Sequence, residues 1–129
     1  MTFRLRRATP EDLAFARDLT CRNMLPYYIQ HELLWQDEAF DVAWTGRENW
    51  LITRNDIALG FLSLSRDARA LYIRELQLAE AFQRQGAGSW AIDQVIEMAR
   101  HEKRTALRLT VFENNPAKNL YQRKGLQLH

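Results

Sequence analysis

The chain has 129 residues, 47% hydrophobic and 26% charged, which is typical of a single folded domain over residues 1–129 and not of a disordered chain. A net charge of +2 without a dense Lys/Arg run gives no support for nucleic-acid binding. The short apolar runs and the alternating N-terminus predict neither a membrane span nor a signal peptide, so we expect a cytoplasmic protein. Cys21 is the only cysteine, and the three histidines are far apart, so no disulfide and no metal site are predicted.

The first elements are predicted to be a strand and two helices. Apolar and basic residues alternate over 3–7, which favours a strand. The Thr-Pro pair at 9–10 is typical of a helix start, and this helix is expected to end near Asn23 because Pro26 interrupts it. A second helix is predicted over 28–44, a stretch rich in aromatic and acidic residues.

Three strands are predicted next. Residues 50–54 and 57–65 flank the turn Asn55-Asp56 and form a β-hairpin, and a third strand covers 71–78. In this last strand the apolar alternation changes phase near Arg74-Glu75, which one extra residue in a β-bulge would explain. A strand buried on both faces is the alternative. Because bulges often re-aim side chains beside active sites, Glu75 becomes a candidate residue.

The C-terminal part of the sequence predicts a helix, a strand and a further helix. The first helix opens at Gly88, and residues 106–112 alternate as a strand. Asn115 is a typical N-cap, and Gly125 is a typical left-handed cap at the end of the last helix. The predicted order β-α-α-β-β-β-α-β-α-β indicates an α/β fold with a mixed sheet and one βαβ crossover.

The segment between the predicted strand over 71–78 and the helix that follows it is suited to bind a pyrophosphate. It reads Gln83-Arg84-Gln85-Gly86-Ala87-Gly88, so glycines let the backbone approach an anion while N–H groups at the helix start point at it. Ser89-Trp90 follow Gly88 where a P-loop would have Lys-Ser/Thr, and the three-glycine pattern of a dinucleotide fold is incomplete. A diphosphate on a flexible arm remains, and coenzyme A has that shape.

Two blocks carry a family resemblance that covers nearly the whole chain. Leu76-Gln77-Leu78 with the 83–88 segment resembles the acyl-CoA signature of the GNAT superfamily of N-acetyltransferases, and residues 111–126 are similar to its second block. Leu126 stands where the family usually has an aromatic residue. The resemblance implies the acyl-CoA N-acyltransferase fold, a mixed, mostly antiparallel central sheet with splayed middle strands and flanking helices.

The resemblance also implies a donor site for acetyl-CoA as co-substrate, without a metal. The backbone of residues 76–78 would bind the pantetheine arm, the backbone N–H groups of 84–89 the pyrophosphate, and Asn115 the pantetheine side. The predicted donor-binding residues are Leu76, Gln77, Leu78, Gln83, Arg84, Gln85, Gly86, Ala87, Gly88, Ser89 and Asn115.

Two catalytic residues are predicted. The resemblance places Tyr121 near the thioester sulfur, where a phenol with a pKa of about 10 can protonate the departing thiolate; packing on the helix face is the alternative. Glu75 is the candidate base that accepts the proton of the amine, and an ion pair with Arg74, Arg108 or another basic residue is its alternative. Some family members place the working carboxylate one residue earlier, at the position of Arg74.

The sequence gives less information about the acceptor site. By resemblance, its lining would come from the helical segment that contains Asn23, Tyr27, Tyr28 and Trp35. The acids Asp37, Glu38 and Asp41 could attract a cationic amine, or could simply form a solvated face.

We therefore expect an N-acetyltransferase that transfers an acetyl group to a primary amine, on a small molecule or a peptide, by direct attack in a ternary complex. A non-catalytic acyl-CoA-binding or regulatory module is the alternative. The family usually continues past the Gly125 region through two strands, whereas this sequence has only four residues after Gly125. A final strand is therefore predicted to be missing, and the open sheet edge favours a homodimer.

Overall fold

The fold is known from a computed structural model, which describes residues 2–109 and the backbone of 127–128. The predicted helix that begins at Asn115, and the end of the strand predicted over 106–112, lie outside the described residues. Asn115 and Tyr121 are among them, so their predicted roles remain predictions.

Within residues 2–109 and 127–128, six strands form one mixed sheet with the strand order of the sequence. They are β1 (Phe3–Arg7), β2 (Glu48–Arg54), β3 (Ile57–Arg66), β4 (Ala70–Leu78), β5 (Ala106–Leu109) and β6 (Gln127–Leu128). Strands β1 to β4 pair in antiparallel fashion, while β4–β5 and β5–β6 pair in parallel. The α/β class and the predominantly antiparallel sheet are confirmed.

In the described part of the chain three helices flank the sheet: α1 (Leu13–Gln30), α2 (Asp37–Thr45) and α3 (Ala87–His101). A 3-10 turn at Pro10–Asp12 precedes α1, and the capping box between Thr9 and Asp12 fixes it, because the Asp12 carboxylate accepts the Thr9 N–H at 2.8 Å. None of the helices in the described part of the chain is long and apolar enough to cross a membrane.

The predicted end of α1 near Asn23 is wrong. The helix continues through Pro26 to Gln30, and α2 begins only at Asp37 instead of residue 28. Pro26 removes one backbone hydrogen bond, but tertiary contacts hold the chain on both sides of it. Asn23 is bonded to β4, and the ring of Tyr28 packs on Trp35 with centroids 5.4 Å apart.

Both faces of the sheet are covered, which explains the continuous burial of β3. The core on one face combines α3 with the sheet, through Leu62, Leu64, Leu71, Ile73, Ile92 and Val95. The core on the other face combines α1 and α2 with the sheet, through Ala16, Leu19, Phe40, Leu51 and Phe61. A site can therefore form beside these cores, at the strand ends where polar residues lie.

The bulge predicted in the strand over 71–78 is confirmed in β4. Ser63 pairs with Glu75 and Leu64 pairs with Ile73, so Arg74 has no partner residue on β3. A bulge of this kind turns the inserted residue and its neighbour toward the same face of the sheet.

The pairing of β4 with β5 is described over four residue pairs. It runs from Ala70–Ala106 to Ile73–Leu109, and the residues after Leu109 lie outside the described part. The predicted splay beyond Ile73 is therefore not described residue by residue. The two-residue β6 is the last strand in the described part of the chain, and the homodimer predicted at this edge stays a prediction.

Candidate active site

The turn between β4 and α3 adopts a left-handed backbone at two positions. Gly86 has φ 87° and Arg84 has φ 63°, and Gly86 is the N-cap of α3. A Cβ added at Gly86 would meet no atom within 4 Å, so open space lies above the turn. The glycine is needed for its backbone conformation, and the space beside it suits an approaching ligand.

Backbone N–H groups at this helix start are available to an anion. The first helical bond runs from Trp90 N to Gly86 O at 2.9 Å. By helix geometry, the N–H groups of the preceding first turn (87–89) have no intrahelical acceptor. Together with the positive end of the helix dipole, they form the kind of site that binds phosphate, so the described residues fit the pyrophosphate of coenzyme A.

Side chains fix the conformation of this turn from both sides. Gln83 Nε2 donates to the carbonyl of Leu78 at 3.0 Å, and Gln85 Nε2 donates to the carbonyl of Ala81 at 3.1 Å. Arg54, at the end of β2, donates to Gln85 Oε1 at 3.0 Å and brings a positive charge close to the turn. The predicted residues Gln83 and Gln85 thus shape the turn through their side chains.

The predicted donor-binding residues of β4 divide between the two faces. Leu76 and Leu78 pack with the core on the α3 side, while Gln77 is buried toward α1. Asn23 on α1 donates its Nδ2 to Gln77 Oε1 at 3.1 Å and to Leu78 O at 2.9 Å. The end of β4 is thereby tied to α1, the helix that the resemblance assigned to the acceptor side.

Glu75 is half-buried and lies next to the bulge. Gln77 Nε2 donates to Glu75 Oε1 at 3.0 Å. Burial raises the pKa of Glu75, although the hydrogen bond from Gln77 and the positive charge of Arg47 act in the opposite direction. A buried carboxyl with a raised pKa is a better proton acceptor than an ordinary exposed one. The alternative ion pair with Arg74 or Arg108 is not formed within the described residues.

The charge of Glu75 affects the pKa values of two other side chains. Burial raises the pKa of Tyr28, and the charge of Glu75 adds to that rise. Burial lowers the pKa of Arg47, and Glu75 partly compensates. Tyr28, which was expected at the acceptor site, therefore lies within electrostatic range of Glu75.

The sequence did not single out Arg47, which lies between α2 and β2. No local pattern marks it, because its neighbour Glu75 is brought close only by the pairing of β2, β3 and β4. Asn49 and Ser63 connect those strands, with Ser63 Oγ donating to Asn49 Oδ1 at 2.7 Å.

The acidic residues of α2 are largely engaged elsewhere. Both carboxylate oxygens of Asp41 accept hydrogen bonds from Arg17 Nη1, at 3.0 and 3.1 Å. Asp37 Oδ1 accepts a hydrogen bond from Trp35 Nε1 at 2.8 Å. These contacts favour a structural role over attraction of a cationic amine. No group of three metal-ligating side chains occurs among residues 2–109.

The fold and the turn before α3 define an α/β protein with a site suited to an anion. The family model of the acetyltransferase (GNAT) family matches residues 14–126, so the chain belongs to this family. Membership supports acetyltransferase activity with acetyl-CoA as the donor.

Solved structures show the same fold. The putative acetyltransferase YycN from Bacillus subtilis has a TM-score of 0.80 at 17% identity and covers 98% of this chain and 92% of its own. The ribosomal-protein-S18-alanine N-acetyltransferase from Escherichia coli has a TM-score of 0.75 at 20% identity, covering 96% and 77%. A GNAT family acetyltransferase from Elizabethkingia anophelis with acetyl-CoA bound has a TM-score of 0.65 at 22% identity, covering 95% and 73%. At these identities the likeness concerns the fold.

Proposed function

We propose that this protein transfers the acetyl group of acetyl-CoA to a primary amine by direct attack in a ternary complex. The observation that carries the proposal is the placement of two features along β4 and the segment that follows it. The half-buried carboxyl of Glu75 lies next to the bulge of β4, and the chain continues from the end of this strand into the left-handed turn at Gly86. The candidate base therefore lies on the strand that leads to the candidate anion site.

The donor would be bound along β4. The backbone N–H groups at the start of α3 would bind the pyrophosphate, and the backbone of residues 76–78 would bind the pantetheine arm. Asn115 would contact the pantetheine side. This arrangement leaves the thioester near the bulge, where a backbone N–H of β4 would polarise its carbonyl group.

The chemistry needs one bond formed and one broken. The amine nitrogen attacks the thioester carbon, the new C–N bond forms, and the C–S bond breaks to release a thiolate. Glu75 would take the proton lost by the amine, directly or through a water, and Tyr121 would supply a proton to the thiolate.

The acceptor class stays open to small-molecule and peptide amines. The Escherichia coli relative is, by its name, an N-acetyltransferase of an alanine of ribosomal protein S18, so a protein amine is one precedent for the fold. The contacts of Asn23 and the proximity of Tyr28 to Glu75 support an acceptor site beside α1.

The experiment combines calorimetric titration with acetyl-CoA and an assay of CoA thiol release over a panel of amines. We expect binding, turnover with at least one amine, and a loss of roughly 100-fold or more in kcat for Glu75→Gln with unchanged acetyl-CoA affinity. Glu80→Gln is the matched control, because Glu80 is an exposed carboxyl just past the end of β4. Tyr121→Phe is expected to lower kcat in the same way.

Two outcomes would contradict the proposal. Binding of acetyl-CoA without thiol release from any amine would identify the non-catalytic acyl-CoA-binding module instead. Unchanged turnover in Glu75→Gln would remove this carboxyl from the mechanism.

A further inference from the structure

We propose that Arg54 is a donor-binding residue, whose guanidinium group binds the pyrophosphate of acetyl-CoA from the β2 side of the turn before α3. The inference rests on the proposed function, because it adds a side chain to a site that the proposal builds from backbone N–H groups. Arg54 lies 31 residues before Gln85 in the sequence, so no local pattern connects it with the turn.

Strand pairing directs Arg54 to the face of the sheet that α3 covers. Phe3 on β1 and Arg54 at the end of β2 stand opposite each other in the antiparallel pairing, so their side chains lie on the same face. The ring of Phe3 packs on Trp90 near the start of α3, with ring centroids 5.7 Å apart. The Cζ of Arg54 lies 5.4 Å from the centroid of the Phe3 ring. The guanidinium group is therefore held beside the start of α3.

A hydrogen bond connects the same guanidinium group with the turn. Arg54 Nη2 donates to Gln85 Oε1 at 3.0 Å. Gln85 also donates its Nε2 to the carbonyl of Ala81 at 3.1 Å, so both ends of its side-chain amide are held. Gln85 directly precedes Gly86, the N-cap of α3, above which open space lies. Arg54 therefore contacts the residue that borders the candidate anion site.

The charge of Arg54 is available to a ligand. Among the residues described, Arg54 forms no ion pair with a carboxylate. Its bond to Gln85 uses one N–H group of the guanidinium fork, and the described part of the chain offers the fork no second acceptor. A planar fork with remaining donors is suited to bind phosphate oxygens in pairs.

The helix start alone supplies less positive charge than the ligand requires. A helix N-terminus carries about half an elementary charge, whereas both phosphates of the pyrophosphate are ionised at neutral pH. Arg84, the cationic residue of the turn itself, is exposed, and no contact with another described residue holds its side chain. Arg54 is already held by Phe3 and Gln85, so it loses less side-chain freedom when it binds the anion.

The test compares ligands that differ in their phosphates. In calorimetry, Arg54→Gln is expected to weaken the binding of CoA and of 3′-dephospho-CoA by the same factor, roughly tenfold. In thiol-release assays, the KM for acetyl-CoA should rise by a similar factor with kcat unchanged. The rate with S-acetylpantetheine, a donor that has no phosphate, should stay the same, which also shows that the variant is folded.

Two further measurements separate binding of the anion from a purely structural role in the turn. The affinity of the wild type for CoA is expected to fall as the salt concentration rises, and this dependence should be weaker in Arg54→Gln. If Arg54 only held the turn through Gln85, the salt dependence would not change. Arg54→Lys keeps the charge without the planar fork and should recover part of the lost affinity.

Arg4→Gln is the matched control. Arg4 is an exposed arginine next to Phe3 on β1, and its side chain points to the opposite face of the sheet from that of Phe3. An Arg54→Gln variant that binds CoA as tightly as Arg4→Gln would overturn the inference while leaving the proposed function intact. The same holds for an unchanged salt dependence, and for a loss that disappears with 3′-dephospho-CoA, which would assign Arg54 to the 3′-phosphate. Absence of CoA binding by the wild type would overturn both.

Discussion

Gln77 donates its side-chain amide to the carboxylate of Glu75, with Nε2 and Oε1 3.0 Å apart. The carbonyl oxygen of the same amide accepts a hydrogen bond from Asn23 on α1, at 3.1 Å. A chain of hydrogen bonds therefore connects α1 with the candidate base. Because Gln77 is buried, its donor is directed at Glu75 without competition from bulk water.

Gln77→Leu should move the pH dependence of turnover. The hydrogen bond from Gln77 favours the ionised form of Glu75, so its loss raises the pKa of Glu75 further above the ordinary value. The ascending limb of kcat against pH is therefore expected to shift to higher pH. Rates measured from pH 5 to 10 test this shift, and the limb should be absent in Glu75→Gln. A limb unchanged in both variants would assign it to another group.

The Glu75→Gln variant should gain stability relative to the wild type as the pH rises. The folded protein keeps the Glu75 proton to higher pH than the unfolded chain, whose carboxyl titrates near 4.5. Stability of the wild type therefore falls as the pH rises from about 4.5 through the raised pKa, whereas glutamine has no proton to lose. Urea unfolding at pH 5 and pH 8 should show the variant gaining relative to the wild type. A difference that stays constant with pH would contradict the raised pKa, and Glu80→Gln is the control.

Gly86 and Gly88 should respond differently to alanine. Gly86 has φ 87°, where a Cβ costs about 1–2 kcal/mol, and the added methyl would enter the open space above the turn. Gly88 does not have a positive φ, and a Cβ added there would meet Leu78 Cδ1 at an ordinary 3.5 Å. We expect Gly86→Ala to weaken acetyl-CoA binding roughly tenfold or more, about 1.4 kcal/mol, in calorimetry. Gly88→Ala should keep the affinity, and equal effects of both changes would argue against the anion site.

Local patterns were sufficient for the sheet and for the turn before α3. The phase change at Arg74 predicted the bulge, and the glycines predicted the turn before α3, because both signals depend on neighbouring residues. The end of α1 was wrong because tertiary contacts outweigh the loss of one hydrogen bond at Pro26. Arg47 was missed because its closeness to Glu75 depends on strand pairing between distant parts of the chain.

Gly60→Ala should disturb the pairing of β3 with β4. A Cβ at Gly60 would lie 2.1 Å from the carbonyl oxygen of Gln77 and 2.9 Å from Leu78 Cα, so backbone would have to move. We expect a loss of about 1–3 kcal/mol in the free energy of unfolding, together with weaker acetyl-CoA binding. Gly46→Ala is the matched control, because its Cβ would meet only Ala43 O, at 3.9 Å. A Gly60 variant as stable as the Gly46 variant would contradict the close approach of the two strands.

Arg66 should be a source of stability that disappears in acid. It donates to Glu102 after α3, at 2.8 and 2.9 Å, and to Glu48 on β2, at 3.2 and 3.3 Å. The hydrogen bonds from Arg66 lower the pKa of Glu102, and with that from Trp50 they outweigh burial and lower the pKa of Glu48. Both carboxylates therefore stabilise the fold above about pH 4.5, and this contribution is lost as the pH falls through their lowered pKa values.

Arg66→Gln is accordingly expected to cost about 2 kcal/mol at pH 7, as measured by urea unfolding. The cost should shrink when the same titration is repeated at progressively lower pH below 4.5, because the contribution of the carboxylates is lost as the pH falls through their lowered pKa values. Arg100→Gln removes an exposed ion pair with Glu97 on α3 and should change stability by less than about 0.5 kcal/mol. A cost for Arg66→Gln that is independent of pH would mean that packing of its aliphatic stem, and not its bonds to the two carboxylates, joins β2 to the end of α3.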